Sequence, residues 1–182
     1  KYSASTCQAV TALLSSCLTE AYRRGYRQDK PTIGKIKGKK IENRIRYLTE
    51  EEENKILVYC YENDPILADI VIIGINTGLR ISEILNIGTD DVEVKDNYIR
   101  VWKSKTDKPR SVPINNKVRR VIDRIKYKYF LDYSYRQIIY KWNKMRESTG
   151  IEDINIHDLR HTFCTRLIKK KVDSVLVMSL AG

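Results

Sequence analysis

The sequence predicts a mainly α-helical domain carrying a small three-stranded antiparallel sheet, an α+β fold, and three observations lead there. Apolar residues recur at helical spacing over most of the chain, whereas the stretch from Asp91 to Ile114 alternates with a period of two. Capping and turn residues sit at the joints between these stretches. At 182 residues the chain is long enough for one well-cored domain plus an appendage, and too short for two large ones.

From Ser3 to Arg24 the residues Val10, Leu13, Leu14, Cys17, Leu18 and Ala21 form one amphipathic helix, with Gly25 as its stop. Residues 29–46 follow without apolar period, holding Pro31, Gly34 and Gly38 among seven lysines and arginines, and read as a basic interdomain linker. Residues 1–28 are therefore expected to be the last helix of a preceding domain, and 47–182 a separate main domain. In the latter, Thr49 and Glu52 have the spacing of a capping box, opening a helix to about Tyr61. Asp64-Pro65 opens a second helix, Ile66 to Asn76, apolar on all sides and so central. It ends at Thr77-Gly78, and Arg80 begins the next helix with Glu83 one turn on. Val92–Val94, Tyr98–Trp102 and Arg110–Ile114 are the strands. Helices return after Asn115-Asn116, after Ser134 and closing at Gly150, from His157 to Lys170, and after Asp173.

Charge narrows the partner. Lys and Arg number 34 against 23 Asp and Glu, a net charge of +11, which favours a polyanion and above all nucleic acid. Cys7, Cys17, Cys60 and Cys164 lie far apart with no CxxC pair, arguing against a zinc knuckle or a disulfide framework and for a reduced, intracellular protein. The longest apolar run, Ile70 to Ile75, falls well short of a membrane span. No signal peptide is evident, and Lys1 in place of a methionine reads as the start of an excised segment.

Two islands carry chemistry: Thr77-Gly78-Leu79-Arg80-Ile81-Ser82-Glu83-Ile84-Leu85 and His157-Asp158-Leu159-Arg160-His161-Thr162-Phe163. Each places an arginine where a helix begins. A guanidinium is permanently charged and its planar fork can bind two phosphate oxygens, stabilising the charge that builds on a phosphodiester under attack. Lys105, at the tip of the Trp102-to-Arg110 hairpin, could protonate a leaving alkoxide, with Lys103 and Lys108 close alternatives on spacing alone. His157 lies one turn before Arg160 and could bond the phosphate or relay a proton. His157 and His161 also have the spacing of a helical zinc pair, but Asp158 stands where a catalytic glutamate would, Arg160 would crowd the metal, and no third ligand is evident. His161 is therefore read as a core or supporting residue, and no metal is expected. Lys35, Lys37, Lys39, Lys40 and Arg44 in the linker are expected to lie along DNA phosphates.

In order and interval these islands resemble the tyrosine recombinases, particularly the phage and mobile-element integrases. Residues 77–85 are similar to the family's first arginine box, assigning Arg80 as a catalytic arginine and Glu83 as its supporting acid. Ser104-Lys105-Thr106 matches the lysine of the family's hairpin, and Arg110-Ser111-Val112-Pro113-Ile114 the strand after it. His157-Asp158-Leu159-Arg160 is similar to the second box, assigning His157 and Arg160. The resemblance implies a core-binding helix, a basic linker and a tyrosine-recombinase catalytic domain. It implies DNA integration or excision through a 3′-phosphotyrosyl link, without metal or cofactor. Its partners would be double-stranded DNA and further copies, as a tetramer on DNA, in the cytoplasm of a bacterial host at the nucleoid.

One departure matters. In the family a leucine-glycine-histidine box follows the second arginine, with the nucleophilic tyrosine beyond it; here Leu180-Ala181-Gly182 matches only the beginning of that box. None of the twelve tyrosines falls in the nucleophile's place, the last being Tyr140. This segment is therefore expected to be monomeric, to bind DNA and not to cut it. The alternatives are a non-catalytic, recombinase-like DNA-binding or regulatory module, and a metal-dependent hydrolase built on His157 and His161.

Overall fold

The computed structural model describes residues 4–34, 46–102, 109–125 and 130–182. Lys35, Lys37, Lys39, Lys40, Arg44 and Lys105 lie outside the described residues. The chain divides into two compact units, Lys1–Arg44 and Ile45–Gly182. The first contains helix α1 (Ala4–Arg23). No helix among the described residues is long and apolar enough to cross a membrane.

The second unit begins with a cap. Thr49 and Glu52 form the capping box expected of them, Glu52 Oε2 accepting from the Thr49 amide at 2.9 Å, at the start of α2 (Glu50–Asn63). The same glutamate takes the guanidinium of Arg46, which also reaches Asp153 at 3.0 Å. Arg46, which its charge alone places with the linker cations, is thus anchored to the domain. Asp64 then ends α2 and starts α3 (Pro65–Thr77): its amide bonds the Cys60 carbonyl while its side chain accepts from the Leu67 amide.

Helix α3 is apolar on every side because other helices surround it. After it come α4 (Ile81–Leu85), strands β1 (Val92–Lys95), β2 (Tyr98–Val101) and β3 (Arg110–Pro113), then α5 (Asn116–Ile125), α6 (Tyr135–Thr149), α7 (Asp158–Lys169) and α8 (Ser174–Ala181). Helices α2, α4, α5, α6 and α7 all pack on α3. Leu67, Ile70, Val71 and Ile73 are fully buried there, each contributing roughly 1.5–3 kcal/mol by removal from water. The approach of α7 is close: a Cβ on Gly74 would come within 3.1 Å of Leu159. That contact fixes where the first turn of α7 lies relative to the end of α3.

The sheet is antiparallel in the order β1-β2-β3, with Val92 opposite Val101, Ile99 opposite Val112 and Val101 opposite Arg110. Its inner face carries the buried Val92, Ile99, Val101 and Val112. Alternation puts Arg110 on that same face, two residues before Val112. The expected fold, mainly helical with one three-stranded antiparallel sheet, is the observed one. Two predicted helix starts shift by a residue: Arg80 and His157 are N-caps, with α4 beginning at Ile81 and α7 at Asp158.

One core residue is out of keeping with its surroundings. Asp69, fully buried on α3, accepts from Arg124 of α5 through Oδ1, while Oδ2 is buried without a hydrogen-bond partner. Burial pushes its carboxyl up by more than the Arg124 charge and hydrogen bond bring it down. A carboxyl whose folded-state pKa is raised favours folding below its unfolded pKa and loses that contribution as pH rises through the folded value. Asn mimics the protonated acid, so Asp69→Asn is expected to melt at higher temperature than the parent chain near neutral pH. The difference should narrow on acidification; thermal unfolding across a pH series checks both.

Candidate active site

Three arginines from three separate parts of the main unit converge. Arg80, in extended backbone at the N-cap of α4, donates Nη1 to Glu83 Oε1 at 3.2 Å and Nη2 to the Gly182 carbonyl at 2.7 Å. Arg160, in the first turn of α7, donates Nη2 to the same Gly182 carbonyl at 2.5 Å and Nη1 to the Gly78 carbonyl at 3.0 Å. One oxygen therefore receives both guanidinium groups. Arg110 donates Nη2 to Glu83 Oε2 at 2.5 Å and Nε to the Leu180 carbonyl at 3.0 Å. Arg80 and Arg110 share the Glu83 carboxylate, whereas Arg160 bonds backbone oxygens.

Local sequence explains the placement. Gly78 ends α3 in the left-handed region, at φ 67°, and a Cβ there would lie 2.4 Å from Phe163 on α7. Only glycine fits both the backbone angle and the space. Its carbonyl is the one that holds Arg160, so this turn and Arg160 are fixed together. Glu83, a turn after Arg80, also accepts from the Arg80 amide at 2.8 Å, so the acid that orients the side chain caps the helix as well.

The electrostatics follow from burial. Burial pushes the Glu83 carboxyl up, but hydrogen bonds from Arg110 and from the Arg80 amide outweigh it, and the net shift is downward, keeping the group ionised. Arg160 is lowered from its ordinary value by burial first and then by the charges of Arg80 and Arg110. The Arg80 side chain is 23% exposed whereas those of Glu83 and Arg110 are 6% and 7% exposed, so Arg80 is the solvent-facing edge of this triad.

His157 caps α7 and meets the His161 ring edge to face, with centroids 5.0 Å apart. Partial burial lowers its pKa, helped by His161, Arg160 and Arg80, which places the imidazole within electrostatic reach of the arginine pair. Among the described residues no group of three His, Cys, Asp or Glu side chains comes together in a metal-binding arrangement.

The sequence-predicted residues Arg80, Glu83, His157, Arg160 and His161 thus lie in one neighbourhood. Arg110 was not among them as a site residue. Its signal was available: an arginine at an inward position of an alternating strand must meet a buried anion.

With the geometry in hand, residues 46–182 match the phage integrase family. The chain belongs to that family. This integrase-family chain is 29% identical over 161 residues to a tyrosine recombinase of Thermosipho africanus, covering 81% of this chain and 57% of the relative. It is 30% identical over 164 residues to the tyrosine recombinase XerC of Staphylococcus carnosus (79% and 55%), and 26% identical over 193 residues to the integrase of Salmonella phage P22 (94% and 49%). The chain spans about half the length of these relatives. In fold it is similar to a lambda integrase dimer bound to a COC′ core site, with TM-score 0.80 and 19% identity over 98% of this chain and 72% of that one. It is also similar to the Tn1549 transposon integrase in complex with circular intermediate DNA, with TM-score 0.71 and 19% identity over 99% and 71%.

Two outcomes are expected. Gly78→Ala should destabilise the chain by about 3 kcal/mol, combining a left-handed non-glycine residue with the Phe163 clash, as denaturant unfolding would show. A ring-resonance titration of His157 should give a midpoint below 6.5, moving up in His161→Ala. Because the folded-state value is depressed, this group's contribution to stability is present above its unfolded pKa and falls away as the solution is acidified through that range.

Proposed function

We propose that this chain supplies the arginine-based half of a tyrosine recombinase active site, which binds duplex DNA and holds the scissile phosphate between Arg80 and Arg160. What supports the reading is the Gly182 carbonyl oxygen, which both guanidinium groups share at 2.7 and 2.5 Å. A nonbridging phosphate oxygen would take that position. Fixed cations aimed at such an oxygen stabilise the five-coordinate transition state more than the ground state, and they do so without reorganising.

Glu83 orients Arg80 and His161 sits against His157. A neutral His157 would hydrogen-bond the phosphate or pass a proton to or from the attacking group. Lys105 would protonate the leaving 5′ oxygen, and Arg110, the first residue of β3, connects the segment that carries this lysine to the arginine cluster. The attacking tyrosine of the recombinase reaction would form a 3′-phosphotyrosyl link that conserves the energy of the phosphodiester, so strand exchange between two sites needs no external energy source. Residues 1–28 would be the end of a core-binding domain and 29–46 a strap in which Lys35, Lys37, Lys39, Lys40 and Arg44 follow the DNA backbone. The relatives' activities suggest integration or excision of a mobile element, by tetramers on DNA, inside the bacterial cell. Residues 1–182 alone, with no tyrosine after Tyr140, would bind DNA as a monomer without cutting it.

The chain is expected to bind duplex DNA with an affinity that falls steeply with salt, since phosphate contacts dominate. In a protein extended to include the nucleophile, Arg80→Ala and Arg160→Ala should each lower single-turnover strand cleavage by about 100- to 1000-fold. Near-normal cleavage by either variant would refute the assignment.

A further inference from the structure

Arg110 is the least exposed of the arginines that touch Glu83, and its contacts differ in kind from those of Arg80 and Arg160. It makes no hydrogen bond to the oxygen those two share. Instead it neighbours the residue that carries it: a Cβ built on Gly182 would come within 3.0 Å of Arg110 Cζ and Nη1. Nε holds the Leu180 carbonyl, Nη2 holds Glu83 Oε2, and Nη1 is buried with no hydrogen-bond partner. A guanidinium kept in place with one donor unmet is being held by its other two bonds.

We propose that Arg110 is a positioning residue for the phosphate site: by fixing Glu83 it fixes the Arg80 guanidinium. This rests on the reading of Arg80 and Arg160 as a phosphate clamp, and deepens it.

The argument is one of committed valences. Glu83 presents two oxygens to three donors: the Arg110 Nη2, the Arg80 amide and the Arg80 Nη1. Without Arg110 the buried carboxylate would lose its shortest contact, and of its two guanidinium partners among the described residues the more exposed, Arg80, would remain. Arg80 would then be drawn onto Glu83 and away from the shared oxygen. Lysine could neutralise Glu83 but could not bond Leu180 at the same time, because its charge is a point where arginine's is a fork. Strand register supplies the rigidity, since Val101 opposite Arg110 and the inward face of β3 hold its Cα on a buried ladder.

The test uses the chain itself with inorganic phosphate as probe, reading the side-chain ¹⁵N–¹H signals of Arg80 and Arg160. Arg110→Gln should bind phosphate about tenfold or more weakly. Arg110→Lys should recover part of that loss. The double variant Arg80→Ala/Arg110→Gln should bind no more weakly than Arg80→Ala, because Arg110 acts through Arg80. Amide spectra unchanged outside the cluster would show that the fold is kept, and if Arg110→Gln does not fold, Glu83→Gln makes the same break from the other side. Losses that multiply in the double variant, or phosphate binding by Arg110→Gln equal to the parent, would overturn the proposal. If Arg80→Ala and Arg160→Ala themselves leave phosphate binding unchanged, it is the clamp reading that fails instead.

Discussion

Glu83 is the carboxylate on which the site depends. Three guanidinium groups gathered around one small volume repel one another, and the depressed pKa of Arg160, caused by burial and then by Arg80 and Arg110, shows that repulsion acting. Glu83 offsets it from within. It is nearly inaccessible to solvent, it stays ionised because Arg110 and the Arg80 amide hydrogen-bond it, and it bonds Arg80 through backbone and side chain alike. Breaking such a buried pair by removing one member leaves the other charge uncompensated, which costs more than the pair itself contributes.

The scaffold beneath this cluster is set by where helices are allowed to touch. Gly74 lets Leu159 of α7 approach α3, and Gly78 turns the chain under Phe163 just before Arg80. Arg160, the residue after Leu159, is thereby brought to the carbonyl of Gly78. Core packing and site geometry are therefore one problem in this domain. A methyl group at either glycine would push α7 outward and carry Arg160 with it.

Much of this could be read from the sequence, and the parts that could not share a cause. Helix boundaries were legible because caps and apolar period are local: Thr49 with Glu52, Asp64 with Pro65, and Gly150 all act as expected. Arg80 and Arg160 stood out because each opens a helix inside a recognisable motif. Glu83 was legible as a neighbour of Arg80, one turn away, but its bond to Arg110 spans 27 residues and two elements. Arg110 itself is disclosed only by register, once Val112 is known to face inward. Arg46 shows the same limit: composition groups it with the linker cations, whereas its bonds to Glu52 and Asp153 make it part of the domain. The basic strap and Lys105 were read from charge and motif alone.

The distribution of exposure gives the cluster a direction. Glu83 and Arg110 lie at the closed end and Arg80 at the open end, so the compensating negative charge is deepest and the uncompensated positive charge faces outward. A field arranged in this way attracts an anion from solvent, and Arg110 with the Arg80 amide already occupies one of the two oxygens of its own carboxylate. His157 adds no further charge near neutrality, its pKa being held down by partial burial and by His161 and the same arginines. Permanent charge is thus assigned to guanidinium groups, which cannot lose it, and proton exchange to an imidazole whose pKa burial, and then the neighbouring charges, lower. Moving the arginines away would relieve only part of that shift, since burial is its first cause and His161 its second.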